Sequence, residues 1–146
     1  MMTRVLVVDD HAVIRRGVRG ILNAFPEWEL CGEASNGEEA VKLAEQLKPQ
    51  IIVMDVSMPG LNGLEATRII RKILPATKVL LLTLHSSTEL VRSAFRAGAQ
   101  GYVLKSDAEQ ELIRAMNVVI GNGTYVSPGI DSKLIQKSLE ENKPVV

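Results

Sequence analysis

The stretch VLVVDDHA, residues 5–12, joins four aliphatic residues to two adjacent aspartates. A short continuous aliphatic run is typical of a β-strand that is covered on both faces, as in a parallel sheet. Asp9 and Asp10 then lie at the carboxyl end of that strand, where two neighbouring carboxylates repel each other. We therefore expect a positive charge close to this pair, or chemistry that needs two carboxylates.

Other segments repeat the strand pattern at regular intervals. Residues 4–8 (RVLVV), 50–54 (QIIVM) and 78–84 (KVLLLTL) are continuously apolar, which predicts central strands. Residues 28–34 (WELCGEA) alternate in polarity, which favours a strand at the edge of the sheet. Residues 101–105 (GYVLK) predict a fifth strand.

Apolar stripes of helical period separate these strands, and a fifth stripe follows the last strand. The stripes are Val13, Ile14, Gly17, Val18, Ile21 and Leu22; Ala40, Val41, Ala44 and Leu47; Ala66, Ile69, Ile70 and Ile73; Leu90, Val91, Ala94 and Phe95; and Leu112, Ala115, Met116, Val119 and Ile120. Asn36, Ser86 and Ser106, each followed three residues later by glutamate, predict helix N-caps. Strict alternation of five strands and five helices predicts a doubly wound parallel sheet with helices on both faces.

Composition limits the possible classes of protein. The 146 residues suffice for one domain with a buried core, and 17 basic residues balance 17 acidic ones, so no basic surface for nucleic acid stands out. No apolar run approaches the ~20 residues of a membrane span, and the N-terminus lacks a signal-peptide pattern. The single cysteine, Cys31, cannot form an internal disulfide and is interpreted as a half-buried apolar residue. We expect a cytoplasmic protein without a membrane partner.

Chemically active side chains follow four of the five predicted strands. Asp9 and Asp10 follow the first strand, Asp55 follows the third, Thr83 ends the fourth and Lys105 ends the fifth. In the common strand order 2-1-3-4-5 the first and third strands are neighbours, so the three carboxylates should converge at the edge where ligands bind. Clustered carboxylates suit Mg²⁺, and a lysine and a hydroxyl beside them suit a phosphoryl group. Asp55 is the best candidate for a carboxylate nucleophile that forms an aspartyl phosphate.

Four motifs now identify a family resemblance. They are VVDD (7–10), MDVSMPGLNG (54–63), LLTLHS (81–86) and GYVLK (101–105). In this order and spacing the chain resembles the receiver domain of bacterial two-component response regulators over about residues 3–122. The resemblance implies a flavodoxin-like fold, a five-stranded parallel sheet of order 2-1-3-4-5 with five helices. It also implies a phosphorylated signalling switch rather than an enzyme, one that assists its own phosphorylation and dephosphorylation.

The resemblance assigns a role to each acidic residue of the cluster. Asp55 would accept the phosphoryl group from a sensor histidine kinase. Asp9 and Asp10 would hold Mg²⁺ together with Asp55 and the main-chain carbonyl of Ser57. The acidic cluster is thus expected to be both the metal site and the reactive centre.

The resemblance also assigns roles to a lysine, two hydroxyl residues and two glycines of the motifs. Lys105 would pair with the phosphoryl group or with Asp55, Thr83 would hydrogen-bond a phosphoryl oxygen, and Tyr102 would change rotamer with it. Gly60 and Gly63 would allow tight backbone turns after the acceptor.

Two positions near the site depart from the family pattern or stay open. Many receivers have proline after the active-site lysine with a cis bond, whereas Ser106 stands here, so a cis bond is in doubt. Ser57 and His85 are implied to tune the lifetime of the phosphoryl group. For His85 a solvated loop position and a role in hydrolysis stay equally open.

The subgroup is suggested by LTLHS (82–86), AGAQGYVLK (97–105) and GNGTYVSP (121–128), which resemble NarL/FixJ-type regulators with a LuxR-type output. There a linker helix and a helix-turn-helix DNA-binding domain follow the receiver. Residues 123–146 are accordingly interpreted as a linker, in which Ser127 caps a helix. Because no room is left for the output domain, we favour a fragment of a longer regulator over a single-domain receiver. DNA would be bound only through that missing domain.

Two features of the sequence concern surfaces that could meet a partner. The subgroup resemblance implies a homodimer through the first and last helices. Arg15, Arg16 and Arg19 are interpreted as a solvated basic face.

Two rival functions would use a similar sheet. A haloacid-dehalogenase-type phosphohydrolase would carry D-x-D after the first strand and a cap domain, whereas this chain carries DDHAV. A flavodoxin-like FMN-binding module would carry a phosphate loop rich in serine, threonine and glycine, and two aspartates there would repel the phosphate. A degenerate receiver that acts only by protein contacts also stays open.

Overall fold

The computed structural model describes residues 2–130, in which β-strands and α-helices alternate along the chain. The strands are β1 (Thr3–Val8), β2 (Trp28–Ala34), β3 (Ile51–Met54), β4 (Lys78–Thr83), β5 (Gly101–Leu104) and β6 (Tyr125–Val126). The helices are α1 (Ala12–Asn23), α2 (Gly37–Leu47), α3 (Gly63–Ile73), α4 (Thr88–Ala97) and α5 (Ala108–Ile120), with a 3₁₀ turn at Lys105–Asp107. All five predicted strands and all five predicted helices are present.

The strands form one sheet in the order β2-β1-β3-β4-β5-β6, and every neighbouring pair is parallel. The predicted order 2-1-3-4-5 and the edge position of β2 are therefore confirmed. The prediction of five strands is incomplete, because β6 adds a sixth beside β5 within residues 2–130. Two residues are too few to show a period of two, so the sequence carried no signal for β6.

Apolar side chains of the central strands point alternately into two cores. Val5 and Val7 lie in one core with side chains of α1 and α5, whereas Leu6 and Val8 lie in the other with side chains of α2, α3 and α4. All four residues are at most 1 % exposed. Helices on both faces are thus the reason why residues 5–8 are continuously apolar.

Helix starts agree with the capping predictions in one case of three. Asn36 caps α2 by accepting a main-chain N–H at 2.8 Å, as predicted. The prediction of Ser86 as a cap is wrong by one residue, because Ser87 accepts the N–H instead, at 3.3 Å. The prediction of Ser106 is also wrong, since it lies inside the 3₁₀ turn and Asp107 precedes α5. With two adjacent serines, or with a turn before the helix, the pattern alone does not select the cap.

The predicted linker is covered only in part by the described residues. Ser127 is 1 % exposed, and its hydroxyl oxygen accepts the N–H of Leu104 at 2.8 Å. The helix predicted to begin directly after it lies for the most part beyond residue 130, outside the described residues. Within residues 2–130, no helix is both long enough and apolar enough to span a membrane, and Cys31 is half-buried as expected.

Candidate functional site

Three of the predicted site residues meet at the carboxyl edge of the sheet. The Lys105 ammonium nitrogen lies 2.8 Å from Asp9 Oδ2 and 3.4 Å from Asp55 Oδ2. The three side chains are 8 %, 3 % and 5 % exposed, in the order Lys105, Asp9 and Asp55. The structure thus contains the positive charge that we expected beside the aspartates. It comes from the end of β5, which β4 separates from β3 in the sheet.

The convergence of Asp9 and Asp55 follows from the pairing of β1 with β3. Val8 pairs with Met54 at the end of the two strands, so the next residue of each strand is a neighbour of the other. The N–H of Asp55 donates to Val8 O at 2.9 Å, and the N–H of Asp9 donates to Ala34 O at 3.0 Å. Ladder hydrogen bonds therefore hold the main chain of both carboxylates.

Asp10 and His11 lie at the rim of the same cluster. His11 Nδ1 lies 3.1 Å from Asp9 Oδ1 and 3.1 Å from Asp10 Oδ1, and both of the rim side chains are more exposed than Asp9. One possible ligand atom from each of Asp9, Asp10, His11 and Asp55 falls within a span of 4.8 Å. His11 was not predicted as a site residue, although its position next to the two aspartates was a signal.

The donor set fits a hard divalent cation. Carboxylate oxygens are the ligands that Mg²⁺ prefers, and it needs only one or two of them when waters and phosphate oxygens complete its shell. The N–H of Ser57 faces Asp55 Oδ1 at 3.4 Å, so the main chain of Ser57 lies beside this carboxylate. The residues of the cluster can thus supply the oxygens for the cation that the sequence predicts.

The electrostatic balance at Asp55 also favours an added cation. Burial raises the pKa of the Asp55 carboxyl above its ordinary value, the nearby Lys105 ammonium lowers it, and the like charge of Asp9 raises it again. The net effect is a raised pKa, so one ammonium does not fully compensate the two buried carboxylates. A further positive charge would stabilise the ionised form of Asp55.

The two hydroxyl groups of the predicted site both bond to the main chain of His85. Thr83 is 0 % exposed, and its Oγ1 accepts the N–H of His85 at 3.3 Å. Tyr102 is also 0 % exposed, and its hydroxyl donates to the carbonyl of His85 at 2.7 Å. Burial raises the pKa of the Tyr102 phenol, so this hydroxyl keeps its proton. Thr83 and Tyr102 are thus connected through one residue of the β4–α4 loop.

His85 also connects this loop to the one that follows β3. The residue is exposed, but its Nε2 lies 2.9 Å from the hydroxyl oxygen of Ser57. The interpretation of His85 as simply solvated is therefore incomplete.

The peptide bond after the active-site lysine departs from the cis bond of many receivers. The Lys105–Ser106 bond is trans, as are the other peptide bonds of residues 2–130.

The basic residues of α1 are partly committed to ion pairs. Arg15 Nε lies 3.3 Å from Glu33 Oε1, and Arg19 lies 2.5 Å from Glu33 Oε2. Arg15 also donates to the carbonyl oxygen of Asp9 at 2.7 Å. The interpretation of a solvated basic face therefore fits the exposed Arg16, is wrong for Arg15, and is incomplete for Arg19, whose side chain is 44 % exposed but ion-paired. The partner, Glu33, lies on β2 and is remote in sequence, so helical spacing could not reveal the contact.

The loop after Asp55 depends on two glycines for different reasons. Gly60 has a φ of +75°, the left-handed conformation that favours glycine, as predicted. Gly63 has no positive φ; a side chain there would instead collide with the main-chain carbonyl of Asp55. The predicted tight turn is therefore wrong for Gly63, whose role is the close approach of α3 to the end of β3.

Comparison with known proteins gives a family match over most of the chain. The family model described as the response regulator receiver domain matches residues 5–117. Among curated relatives, the transcriptional regulatory protein DegU of Brevibacillus brevis is 39% identical over 134 residues, which cover 92% of this chain and 57% of DegU. The response regulator UvrY of Escherichia coli (strain K12) is 38% identical over 142 residues, which cover 97% of this chain and 65% of UvrY. The chain thus spans less than two thirds of the length of these relatives.

Solved structures agree with the curated relatives. A two-component response regulator of the LuxR family from Aurantimonas sp. SI85-9A1 has a TM-score of 0.85 and 35% identity, covering 97% of this chain and 98% of that one. The signal receiver domain of the putative response regulator NarL from Mycobacterium tuberculosis has a TM-score of 0.78 and 32% identity, covering 82% and 97%. The relatives are regulators and not classical enzymes, and they support the NarL/FixJ-type subgroup. The chain belongs to the response regulator receiver domain family.

Proposed function

We propose that this receiver domain accepts a phosphoryl group from the phosphohistidine of a sensor histidine kinase onto the carboxylate of Asp55. The observation that carries the proposal is the cluster itself. The buried carboxylate of Asp55 lies 3.4 Å from the Lys105 ammonium and within 4.8 Å of oxygens of Asp9 and Asp10. A nucleophilic carboxylate, a cation-binding oxygen set and a buried ammonium are the groups that phosphoryl transfer needs at one place.

The transfer step exchanges one bond to phosphorus for another. An oxygen of Asp55 bonds to phosphorus, the bond between phosphorus and the imidazole nitrogen breaks, and the electron pair of that bond leaves with the ring. As the phosphoryl group enters the site, Lys105 donates hydrogen bonds to its oxygens and stabilises their negative charge. Mg²⁺, held by Asp9, Asp10, Asp55 and the Ser57 carbonyl, would supply further positive charge to those oxygens when bound.

Phosphorylation then changes the hydrogen bonds of Thr83 and Tyr102. The Thr83 hydroxyl turns from the His85 N–H to a phosphoryl oxygen, which frees the main chain of the exposed loop. Tyr102, whose hydroxyl is bonded to the His85 carbonyl, changes rotamer with the loop. The added negative charge thereby shifts the surface around α4 and α5 from an inactive state toward an active one.

The output is proposed by analogy with the relatives. Their names describe transcriptional and response regulators, and the chain spans 57% and 65% of two of them. We assign residues 3–122 to the receiver and 123–146 to a linker, with a DNA-binding output domain carried outside these 146 residues. The protein would work in the cytoplasm, and a phosphorylation-dependent homodimer through α1 and α5 would be its active form.

The experiment is phosphorylation of the purified protein by acetyl phosphate with Mg²⁺ present. We expect stable phosphoryl uptake by the wild type and none by Asp55→Asn. Asp107→Asn is the matched control, because this aspartate lies outside the cluster and should leave uptake unchanged. Stable uptake by Asp55→Asn would overturn the assignment, and rapid turnover of a generic phosphatase substrate would favour an enzyme instead.

A further inference from the structure

The segment after α5 is bonded along the outer edge of β5. Tyr125 N donates to Gln100 O at 3.0 Å, and Ser127 N donates to Tyr102 O at 2.9 Å. These bonds make β6 a parallel neighbour of the strand that carries Tyr102 and leads into Lys105. The transfer step proposed above assigns no role to the residues of this segment.

The Ser127 hydroxyl adds one more rung to this ladder. Its oxygen accepts the N–H of Leu104 at 2.8 Å, where a main-chain carbonyl of a longer strand would otherwise accept it. Pro128, which has no N–H, follows directly, and the Ile130 N–H turns back to the Ser127 carbonyl at 3.1 Å. Since Ser127 is 1 % exposed, water is a poor substitute partner for the Leu104 N–H.

Leu104 is the last residue of β5 and directly precedes Lys105. On its other side it pairs with Thr83 of β4, so its main chain is held between β4 and the Ser127 hydroxyl. Lys105 then enters the 3₁₀ turn while its side chain reaches back to Asp9 and Asp55. The base of the Lys105 side chain is therefore fixed through the main chain of Leu104.

We infer that Ser127 is a positioning residue for Lys105. Its hydroxyl holds the end of β5 so that the ammonium meets the phosphoryl group at Asp55. This inference rests on the proposed function, because it assumes that Lys105 acts in phosphoryl transfer. The same hydrogen bond connects the reactive site to the segment that leaves the receiver. A shift of Lys105 on phosphorylation therefore also displaces Ser127.

The test uses a pair of isosteric substitutions. Ser127→Thr keeps the hydroxyl acceptor, whereas Ser127→Val replaces it with a methyl group of the same shape. We expect Ser127→Val to lower the rate of phosphorylation by acetyl phosphate about 3- to 10-fold, and Ser127→Thr to stay within about 2-fold of the wild type. Equal rates for Val and Thr would overturn the inference. If branching at this position prevents folding, Ser127→Ala against the wild type carries the same comparison.

A double-mutant cycle separates positioning from a general loss of structure. In a Lys105→Ala background, Ser127→Val should change the residual rate by less than about 2-fold, because the group it positions is gone. A full 3- to 10-fold loss in that background would mean that Ser127 acts independently of Lys105, which contradicts the inference.

Amide exchange distinguishes failure of this inference from failure of the proposed function. In the unphosphorylated protein we expect the Leu104 amide to exchange about 10-fold faster in Ser127→Val than in Ser127→Thr. If the wild type takes no phosphoryl group at Asp55, the proposed function fails. If the wild type is phosphorylated but the Val and Thr variants match in both rate and exchange, only the role of Ser127 fails.

Discussion

The acidic half of the site, formed by Asp9, Asp10 and Asp55, is held differently from the hydroxyl half, formed by Thr83 and Tyr102. Asp9 and Asp55 are the residues that directly follow β1 and β3, and their N–H groups extend the strand ladders. Both hydroxyls instead bond to the main chain of His85, in a loop whose residues 84–87 are all exposed.

The difference separates a fixed part of the site from an adaptable one. The acidic half carries buried like charges, which must stay in place if a cation and a phosphoryl group are to be bound without rearrangement. The hydroxyl half is uncharged, and its partners are loop atoms that water can replace when the hydroxyls turn away. We therefore expect changes that touch the acidic half to alter the free energy of unfolding more, in either direction, than changes in the hydroxyl half.

The largest expected effect tests how rigid the acidic half is. Gly63→Ala puts a side chain against the main-chain carbonyl of Asp55, and a main-chain atom cannot move aside by changing rotamer. We expect the free energy of unfolding to fall by about 3 kcal/mol or more. The measurement is denaturant unfolding.

The matched control is Gly20→Ala on α1. Nothing lies within 4 Å of a side chain at that position. Because alanine is a better helix former, we expect this variant to gain about 0.5–1 kcal/mol. A tolerated Gly63→Ala would mean that the acidic half is as adaptable as the hydroxyl half.

The second effect is stabilisation by Mg²⁺. A ligand that binds only the folded state adds about 2.7 kcal/mol at a concentration 100-fold above its dissociation constant. We expect thermal unfolding to shift upward with MgCl₂ in the wild type and in Asp107→Asn, and the shift to be largely lost in Asp10→Asn. An unchanged shift in Asp10→Asn would remove this residue from the metal site.

The third effect is a pH-dependent gain in stability on neutralising Asp55. Its pKa in the folded state is raised above the ordinary value of 3.8, so the folded state binds this proton more tightly than the unfolded state does. Ionisation therefore reduces stability as the pH rises through the folded pKa, and the loss is complete above it. Without Mg²⁺ we expect Asp55→Asn to be about 1 kcal/mol more stable than the wild type near neutral pH.

The pH profile gives the check on this prediction. The advantage of Asp55→Asn should shrink as the pH falls and vanish below the ordinary carboxyl pKa. Urea unfolding at several pH values measures it. An advantage that does not change with pH would have another origin than the charge of Asp55.

The smallest effect belongs to the hydroxyl half. Tyr102→Phe removes the hydrogen bond to the His85 carbonyl, and because His85 is exposed, water can satisfy that carbonyl. We expect a loss of about 0.5 kcal/mol and faster amide exchange in residues 84–87. A cost as large as that of Gly63→Ala would contradict the contrast between the two halves.

The sequence predicted those parts of the fold that rest on regular patterns. Continuous aliphatic runs identified β1, β3 and β4, alternating polarity identified β2, and a short apolar run identified β5. Helical stripes identified all five helices, and the residues at the strand ends identified the acidic cluster. These predictions succeed because parallel pairing brings the carboxyl ends of neighbouring strands together.

Contacts between residues far apart in sequence, and very short elements, were not predicted. The ion pairs of Arg15 and Arg19 with Glu33 cross from α1 to β2, and no spacing rule connects them. The hydrogen bond between the Ser127 hydroxyl and the Leu104 N–H was also not predicted, because it depends on the pairing of β6 with β5. Gly63 was identified, but for the wrong reason. Its close approach to the main chain of Asp55 is a contact between elements, which the local sequence does not reveal.

Asp55 is tested most directly as the phosphoryl acceptor by the chemical location of the phosphoryl group. Borohydride reduces an aspartyl phosphate to homoserine, which peptide mass spectrometry can assign to one residue. After treatment with acetyl phosphate and Mg²⁺, we expect homoserine at position 55 and none at positions 9 and 10. Homoserine at Asp9 or Asp10, or at none of the three positions in a protein that has taken up phosphoryl groups, would contradict it.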